Sequence, residues 1–269
     1  MTRLAVDLGG SRLRLGVGDG RGDWRLAFDR ERPSEGGVRD IVDAVAEALS
    51  AWGLAPVDLA GIGVSVAGLV GPDGVVRRAE NLGWRDAPLG AVLAEAFGRP
   101  VAVDTDVFCG ARYEAEAGTA RGAPAALYVA LGTGIGHAFV FDGRVWRGSH
   151  GNANGFGHLV TDPKGPPCYC GGAGCLCLVA GGKAQAAADP PPGPIDALAL
   201  AIGSAVTLIE PAVVVLGGGA RSQPWFDLAA LGEALGRRAY PGVVLPRLVS
   251  SRVDDANLRG AALLSEESE

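Results

Sequence analysis

The 269-residue sequence predicts an α/β fold made of two lobes. Patterns of buried strands and amphipathic helices alternate over residues 3–103, which is typical of a sheet covered by helices. A unit of strand, glycine turn and strand opens the chain at residues 3–17, and a second such unit begins at residue 125. Two halves that open alike predict two related lobes that face one another, with ligands bound between them.

Apolar spacing predicts the elements of the first lobe. Arg3–Asp7 and Leu13–Val17 predict a hairpin, because a Gly-Gly turn separates them and Gly18-Asp19-Gly20 follows as a turn signal. Apolar residues at helical spacing predict a helix over Asp40–Trp52. The remaining predicted elements are the strand Leu59–Val66, the helix Ala91–Phe97 and the strand Val101–Val103.

The second lobe repeats the opening pattern. Ala125–Leu131 predicts a strand, residues 132–136 a glycine turn, and Ala138–Phe141 a second strand. Asp189–Pro194 is proline-rich and predicts a loop that is either a hinge or a surface excursion. Beyond this loop the sequence predicts a helix over Ile195–Leu208, a strand over Ala212–Leu216, and helices over Leu228–Leu235 and Leu258–Leu264.

Charge and hydropathy exclude several classes of function. The formal net charge is −6 and no basic face is visible, so a nucleic-acid partner is not expected. No uncharged apolar run approaches the roughly 20 residues that a membrane helix needs, and no leader pattern is visible. We therefore expect a cytoplasmic protein with no membrane partner.

The first glycine turn has the composition of a phosphate site. Asp7 ends a strand, Gly9 and Gly10 let backbone N–H groups approach an anion, and Ser11 and Arg12 add hydrogen-bond donors. Asp7 is expected to hold Mg²⁺ through water, since Mg²⁺ keeps several waters and needs few carboxylates.

Two further glycine turns extend this pattern. Gly132, Thr133 and Gly134 offer the same chemistry from the second lobe, and Gly217, Gly218 and Gly219 follow a buried strand and could contact adenosine. Each turn alone is more often just a tight turn, whereas three in this order indicate a nucleotide such as ATP. Neither a P-loop nor a dinucleotide fingerprint occurs.

A dense cysteine cluster predicts a zinc site. His158, Cys168, Cys170 and Cys175 form the pattern His-x9-Cys-x-Cys-x4-Cys among several glycines. Three thiolates and one imidazole give the closed tetrahedral shell of a structural Zn²⁺ ion. Cys177 lies close enough in sequence to compete as a ligand. The alternative, four unrelated buried residues, is disfavoured because the cluster is dense and rich in glycine.

The sequence resembles the ROK family of sugar kinases and related repressors, especially its glucokinase branch. The resemblance lies in the three glycine turns, in two stretches between them and in the last predicted helix, at residues 7–12, 65–70, 81–85, 131–136, 213–219 and 260–262. It implies an actin-like ATPase (ribonuclease H-like) fold. It further implies a small lobe of residues 1–106 and 254–269, a large lobe of residues 107–253 with a zinc loop at 158–177, and a homodimer.

The resemblance also assigns roles to residues. It implies that Asp106 is the general base that takes a proton from a primary hydroxyl of the sugar, with Mg²⁺ and the glycine turns stabilising the γ-phosphate. Without it, Asp104 and Asp106 read more simply as strand-end acids or as the cap of a helix near Cys109. It implies Cys175 rather than Cys177 as the zinc ligand, and a His158 ring that points toward the sugar. The sugar-binding positions that it implies are Gly68, Asn81, Thr105, Asp106, Asn154, Gly155, His158 and Cys177.

Three of these positions depart from the family pattern. Gly155 and Cys177 stand where the family has glutamates that accept hydrogen bonds from sugar hydroxyls, and Thr105 stands where it has asparagine. Each charged hydrogen bond contributes about 1.5–3 kcal/mol, so losing two weakens glucose binding by about two to four orders of magnitude.

Three explanations of these departures remain open. Asn154 supplies a substitute contact, or the substrate is an amino sugar or cyclitol, or the protein is a sugar sensor without efficient catalysis. We expect an altered substrate, because Asp7, Thr133 and Asp106 are all present. A repressor is not expected, since Asp7 already lies inside the first turn and leaves no preceding DNA-binding segment.

Overall fold

The computed structural model describes residues 2–10, 12–19, 24–31, 36–238 and 240–264. They form two compact units. The first unit comprises Met1–Tyr113 and Asp255–Glu269, and the second comprises Glu114–Asp254. Ser11, which was predicted to bind phosphate, lies outside the described residues. No helix within the described ranges is long and apolar enough to cross a membrane.

The first unit contains a five-stranded mixed sheet in the order β3-β2-β1-β4-β8. Strands β1, β2 and β3 are antiparallel neighbours, and β4 and β8 run parallel to β1. A small second sheet has the order β5-β6-β7. In chain order the elements are β1 (Arg3–Leu8), β2 (Arg12–Gly18), β3 (Trp24–Glu31), α1 (Val38–Trp52), β4 (Ile62–Val66), β5 (Leu69–Val70), β6 (Val76–Ala79), β7 (Trp84–Ala87), α2 (Leu89–Phe97), β8 (Val101–Thr105) and α3 (Asp106–Glu116).

The second unit repeats this topology. Its sheet has the order β11-β10-β9-β12-β13, again with three antiparallel neighbours followed by two strands parallel to the first. Its elements are β9 (Ala125–Leu131), β10 (Ile135–Phe141), β11 (Arg144–Trp146), α4 (Cys177–Ala180), α5 (Gly182–Gln185), α6 (Pro194–Ile209), β12 (Val213–Gly217), α7 (Leu228–Arg238) and β13 (Arg247–Ser250). The prediction of an α/β fold is therefore confirmed.

The last helix, α8 (Ala256–Ala262), belongs to the first unit and packs on its sheet. Glycine is required at both contact points. A Cβ at Gly63 of β4 would overlap the backbone carbonyl of Ala261, and a Cβ at Gly260 would overlap the carbonyl of Cys109. The backbones of β4, α8 and α3 approach so closely that no side chain fits between them.

Alternation along β1 divides the core of the first unit in two. Leu4, Val6 and Leu8 are buried in the cluster that includes α1, whereas Ala5 is buried with residues of α3 and α8. Successive side chains of a strand point to opposite faces. Asp7 therefore shares the face of Ala5, toward α8, and begins the site described below.

Most predicted elements are present with longer or shorter ends. The strand predicted at residues 101–103 extends to Thr105, and the strand predicted from Leu59 begins at Ile62. The glycine turn predicted over residues 132–136 is shorter, because β10 begins at Ile135 and takes Gly136 into the sheet. Strands β3, β5–β7, β11 and β13 were not predicted.

Candidate active site

A row of polar side chains crosses the carboxyl ends of three parallel strands in the first unit. Asp7 of β1 pairs in register with Ser65 of β4, and Ser65 pairs with Asp104 of β8. The Ser65 hydroxyl donates to Asp7 Oδ1 at 2.7 Å. All three residues are buried. This end of a parallel sheet is where α/β proteins place their ligands.

Asp7 is fixed by an ion pair with the neighbouring strand. Arg14 lies opposite Asp7 in the β1–β2 register and donates to Asp7 Oδ2 from Nη2 at 2.5 Å and from Nε at 3.1 Å. Burial alone would lower the pKa of the Arg14 guanidinium, but the Asp7 carboxylate outweighs this effect and raises that pKa above its usual value. The pair holds an ionised carboxylate in a fixed orientation at the end of β1.

Asp106 is the first residue of α3 and follows directly from β8. Its Oδ1 accepts the backbone N–H of Val107 at 2.8 Å and the hydroxyl of Thr105 at 3.3 Å. Desolvation, reinforced by the negative charge of Asp7, raises the pKa of Asp106 from 3.8 to about 6, although these hydrogen bonds oppose the shift. A carboxylate with this pKa is ionised at neutral pH and accepts a proton more readily than a surface aspartate.

The first glycine turn packs against another predicted site residue. The Gly9 N–H donates to the Arg12 carbonyl at 2.9 Å and closes the turn. A Cβ at Gly10 would lie 3.1–3.2 Å from side-chain atoms of Asn81, so the two residues are in contact. The Arg12 guanidinium, predicted to reach a phosphate, forms a two-pronged ion pair with Asp29 at 2.8 and 2.9 Å.

Gly68 follows β4 at the same end of the sheet. Its N–H donates to the Val66 carbonyl at 2.9 Å, and a Cβ there would lie 2.6 Å from the Arg78 carbonyl oxygen. Glycine is therefore needed for the chain to pass β6. The predicted site residues at positions 7, 9, 10, 68, 81, 105 and 106 thus all belong to the first unit.

The second glycine turn, between β9 and β10, is hydrogen-bonded to α5 on one side and is open on the other. Gly182 and Lys183, at the start of α5, donate to the carbonyls of Gly132 and Thr133 at 2.9 and 3.0 Å. A Cβ at Gly182 would lie 2.5 Å from the Gly132 oxygen, so glycine permits this contact. Nothing lies within 4 Å of a Cβ placed at Gly134. The turn is held by its carbonyls and leaves room for an anion on its other side.

The third glycine turn follows β12 and is locked by an arginine. Gly218 has a φ of +84°, and a Cβ there would overlap the Leu131 backbone. Arg221 donates from Nε to the Gly218 carbonyl at 3.0 Å and from Nη1 to the Ser251 carbonyl at 3.0 Å. Nothing lies within 4 Å of a Cβ at Gly219, so this residue leaves space for a ligand.

The four predicted metal ligands come together in the second unit. The ligand atoms of His158, Cys168, Cys170 and Cys175 all lie within 4.8 Å of one another. The Cys168 sulfur lies 3.6 Å from His158 Nδ1, and the Cys170 and Cys175 sulfurs lie 3.6 Å apart. Three sulfurs and one imidazole nitrogen at this spacing fit a tetrahedral Zn²⁺ ion.

The thiols of this cluster differ in acidity. Burial would raise the pKa of the Cys168 thiol, but hydrogen bonds from Cys170 and His158 outweigh it and lower that pKa to about 6. Burial and hydrogen bonding to Cys170 raise the pKa of Cys175 to about 12. Binding of a metal ion would therefore release protons, because its ligands must be thiolates.

The second nitrogen of His158 contacts a tyrosine. His158 Nε2 lies 3.1 Å from the hydroxyl of Tyr169, and the two rings meet edge to face with centroids 5.0 Å apart. Tyr169 is 77% exposed. His158 Nε2, which was expected to face a sugar, therefore has the exposed Tyr169 hydroxyl as its partner in this structure. The sequence offered no signal for this contact.

The two positions without the expected glutamates have different surroundings. Nothing lies within 4 Å of a Cβ at Gly155, so the space of the missing carboxylate is open. Cys177 begins α4 and is hydrogen-bonded to Cys168. Burial, with the charge of Cys168, raises the pKa of Cys177 to about 12, so it is a neutral thiol beside the metal cluster.

The backbone of Asn154 is hydrogen-bonded to a buried histidine. His137 of β10 is hydrogen-bonded to the backbone of Asn154, and burial nevertheless lowers the His137 pKa to about 4. The His137 ring also packs on Phe156, with centroids 5.3 Å apart. A neutral, apolar-packed imidazole therefore supports the segment that carries Asn154 and Gly155.

Besides Tyr169 and His137, the sequence did not reveal Arg14, Ser65 and Arg221 as site residues. The signal for Arg14 was available, because it lies opposite Asp7 when the hairpin register is counted outward from the turn. Ser65 contacts Asp7 only because β4 pairs with β1, and Arg221 contacts Gly218 only through the fold of the turn. Neither of these contacts follows from sequence spacing.

A family model and two solved structures that resemble this chain all point to the same family. The model of the ROK family matches residues 3–189. A ROK hexokinase from Thermus thermophilus has 32% identity and a TM-score of 0.79, covering 98% of this chain and 97% of its own. A ROK family glucokinase from Streptomyces griseus, solved with glucose and AMPPNP, has 24% identity and a TM-score of 0.81 over the whole of both chains.

Curated relatives include both enzymes and regulators. The glucokinase of Halalkalibacterium halodurans is 34% identical over 183 residues, which cover 66% of this chain. The xylose repressor of Bacillus subtilis is 32% identical over 144 residues, or 54% of this chain. The matched segments span 56% of the glucokinase and 38% of the repressor.

Proposed function

Because the chain belongs to the ROK family, we propose that it is an ATP-dependent sugar kinase. The proposed reaction transfers the γ-phosphoryl group of ATP to a primary hydroxyl of a hexose or a hexose analogue. Similarity to a hexokinase and a glucokinase supports the sugar acceptor. The relatives also include a repressor, so the side chains of the site carry the argument for catalysis.

The single observation that carries this proposal is the state of Asp106. It follows the carboxyl end of β8, two residues beyond Asp104 of the buried Asp7–Ser65–Asp104 row, and its pKa is raised to about 6. A general base works best when its pKa is near the operating pH. Asp106 would accept the proton of the attacking sugar hydroxyl, while Thr105 holds Oδ1 through its own hydroxyl.

The nucleotide would be held by backbone amides and one carboxylate. Phosphoryl transfer depends mainly on positioning and on stabilising charge at the phosphate oxygens. The N–H groups of Gly9 and Gly132 donate to Arg12 and Gly134 and fix the first two turns, so the other N–H groups of the turns at residues 9–10, 132–134 and 217–219 would face the phosphates. Asp7, oriented by Arg14 and Ser65, would hold Mg²⁺ through water, and that ion would supply positive charge to the phosphates.

Zinc would organise the second half of the sugar site. His158, Cys168, Cys170 and Cys175 would hold the ion, which fixes the loop that carries His158. With Nδ1 on the metal, Nε2 would carry the hydrogen and donate it to an oxygen. In this structure Nε2 lies 3.1 Å from the Tyr169 hydroxyl, and a sugar hydroxyl would take that place on binding.

We propose that the acceptor differs from glucose in its hydroxyl pattern. Gly155 leaves an open space and Cys177 offers a neutral thiol where two carboxylates would accept hydrogen bonds. The open space at Gly155 suits a hexose analogue with a bulkier group, such as an amino sugar, and the neutral thiol suits one with a different hydroxyl pattern, such as a cyclitol. The base and the glycine turns do not depend on which alcohol is bound.

The test is sugar-dependent ADP release by the zinc-loaded protein with MgATP, across a panel of hexoses, amino sugars and cyclitols. We expect one analogue to exceed glucose in kcat/KM, with a monophosphate detected by mass spectrometry. Glucose as the best substrate would refute the altered specificity. No turnover with any acceptor would refute the kinase.

A second candidate function is a sugar sensor without catalysis. The absence of carboxylates at Gly155 and Cys177 favours it. A sugar that is bound but poorly positioned reacts slowly, because the rate of transfer depends on positioning more strongly than the affinity does. Sugar binding seen by calorimetry, together with no ADP release at any pH from 6 to 9, would establish this alternative.

A further inference from the structure

A pocket in the second unit is lined by three arginines and by no acidic residue. It has a volume of about 440 Å³ and lies beside the edge strand β13. This volume is within the usual range of small-ligand sites. None of its lining residues belongs to the three glycine turns. The residues that matter for the argument are Thr119, Arg121, Arg247, Leu248, Ser250 and Arg252.

The guanidinium groups in this pocket are largely uncommitted. Arg247 uses Nη2 to donate to the Thr119 carbonyl at 3.2 Å. The guanidinium groups of Arg121 and Arg252 make no hydrogen bond or ion pair with any residue in the described ranges. All three side chains are exposed. By contrast, Arg14 and Arg221, at the glycine turns, are each paired with a carboxylate.

The backbone adds donors to the same pocket. The N–H groups of Arg247 and Ser251 point into the sheet, toward the carbonyls of Ala212 and Leu216. Because hydrogen-bonding direction alternates along a strand, the N–H groups of Leu248 and Ser250 point the other way, to the free edge of β13. Both of these residues line the pocket.

Leu228 also lines the pocket, and the residue before it, Asp227, does not neutralise the arginine side chains. Asp227 precedes α7, and its Oδ1 accepts the N–H groups of Ala229 and Ala230 at 2.8 and 3.1 Å. It is therefore engaged as a helix cap. Glu114 lies against the lining, and its Oε2 accepts the N–H and the hydroxyl of Thr119, both at 2.7 Å. Three arginine side chains, the edge N–H groups of Leu248 and Ser250 and the Ser250 hydroxyl remain for a ligand.

We propose that this pocket binds a small phosphate-bearing anion, at a site separate from the glycine turns. Guanidinium groups bind phosphate oxygens through paired, charge-assisted hydrogen bonds, and several converging arginines favour an anion with more than one negative charge. Orthophosphate, pyrophosphate and a sugar phosphate share this chemistry. Binding of the anion at this pocket does not depend on the proposed kinase reaction.

The test is calorimetric titration of the full chain with pyrophosphate in a phosphate-free buffer, with orthophosphate and a hexose phosphate as separate arms. The double variant Arg121→Gln/Arg252→Gln should bind pyrophosphate at least about tenfold more weakly at this site. Arg237→Gln, which changes an exposed arginine of α7 in the same unit, should bind as the wild type does. Circular dichroism checks that every variant is folded.

Residue-resolved footprinting locates the anion. Phenylglyoxal modifies accessible arginines, and mass spectrometry of the peptides reports each one. We expect pyrophosphate to protect Arg121, Arg247 and Arg252 and to leave Arg237 unchanged. Protection confined to Arg12 or Arg221 would place the anion at the glycine turns and overturn the proposal, as would unchanged affinity in the double variant.

Discussion

Replacing Asp106 by asparagine should abolish most catalysis and yet make the protein more stable. The raised pKa means that the folded protein disfavours the ionised carboxylate relative to the unfolded chain. A shift from 3.8 to about 6 corresponds to roughly 3 kcal/mol at pH values above both. The penalty is fully present above pH 6 and is relieved as the pH falls from 6 toward 3.8, where the folded protein binds the proton first.

Asparagine removes the charge and keeps the acceptor. Its Oδ1 can still accept the Val107 N–H and the Thr105 hydroxyl. Its new amide N–H groups need partners, and the helix terminus loses a favourable negative charge. These costs reduce the benefit of removing the charge, so we expect the free energy of unfolding to rise by about 1–3 kcal/mol. Loss of the base should lower kcat by about 10²–10⁴.

Urea unfolding at pH 8 and ADP release measure the two effects. Asp227→Asn is the matched control, because Asp227 also lies at the start of a helix and accepts backbone N–H groups through Oδ1. We expect that control to change stability by less than about 1 kcal/mol and to keep full activity. Lower stability of Asp106→Asn than of this control, or turnover within tenfold of the wild type, would refute the reasoning.

Two further predictions concern the metal cluster and the last helix. Cys175→Ser should lose zinc as measured by elemental analysis, whereas Cys177→Ser should keep one ion per chain; equal zinc content in both variants would mean that the ligand set is wrong. Gly260→Ala should destabilise the protein by at least about 1–3 kcal/mol in urea, because the new Cβ overlaps the Cys109 carbonyl, whereas Gly232→Ala should stabilise it by about 0.5–1 kcal/mol. A folded Gly260→Ala protein of wild-type stability would contradict the close helix contact.

Local patterns predicted most of the sheet and helix framework. The hairpin of β1 and β2 and the long helices α1 and α6 follow from apolar periodicity, and the structure has them within a few residues. The strand β3 could also have been predicted, since Trp24, Leu26 and Phe28 alternate with other residues. The short strands β5, β11 and β13 could not, because two to four residues carry too little periodicity and only pairing with distant strands defines them.

The candidate site divides in the same way. The cysteine spacing predicted a cluster that the structure brings together within 4.8 Å, because glycines at positions 171 and 174 take the positive φ values of 92° and 63° that fold the loop. The row of Asp7, Ser65 and Asp104 depends on β4 lying between β1 and β8. The contact of Tyr169 with His158 likewise depends on loop packing, which residue spacing does not encode.

The pH dependence of kcat/KM for the preferred sugar, at saturating MgATP, tests most directly whether Asp106 removes the proton. Its pKa is about 6, so the rate constant should be level above pH 7 and fall about tenfold per pH unit well below pH 6. A profile that stays flat down to pH 5 in the wild type would contradict the assignment of Asp106 as the base.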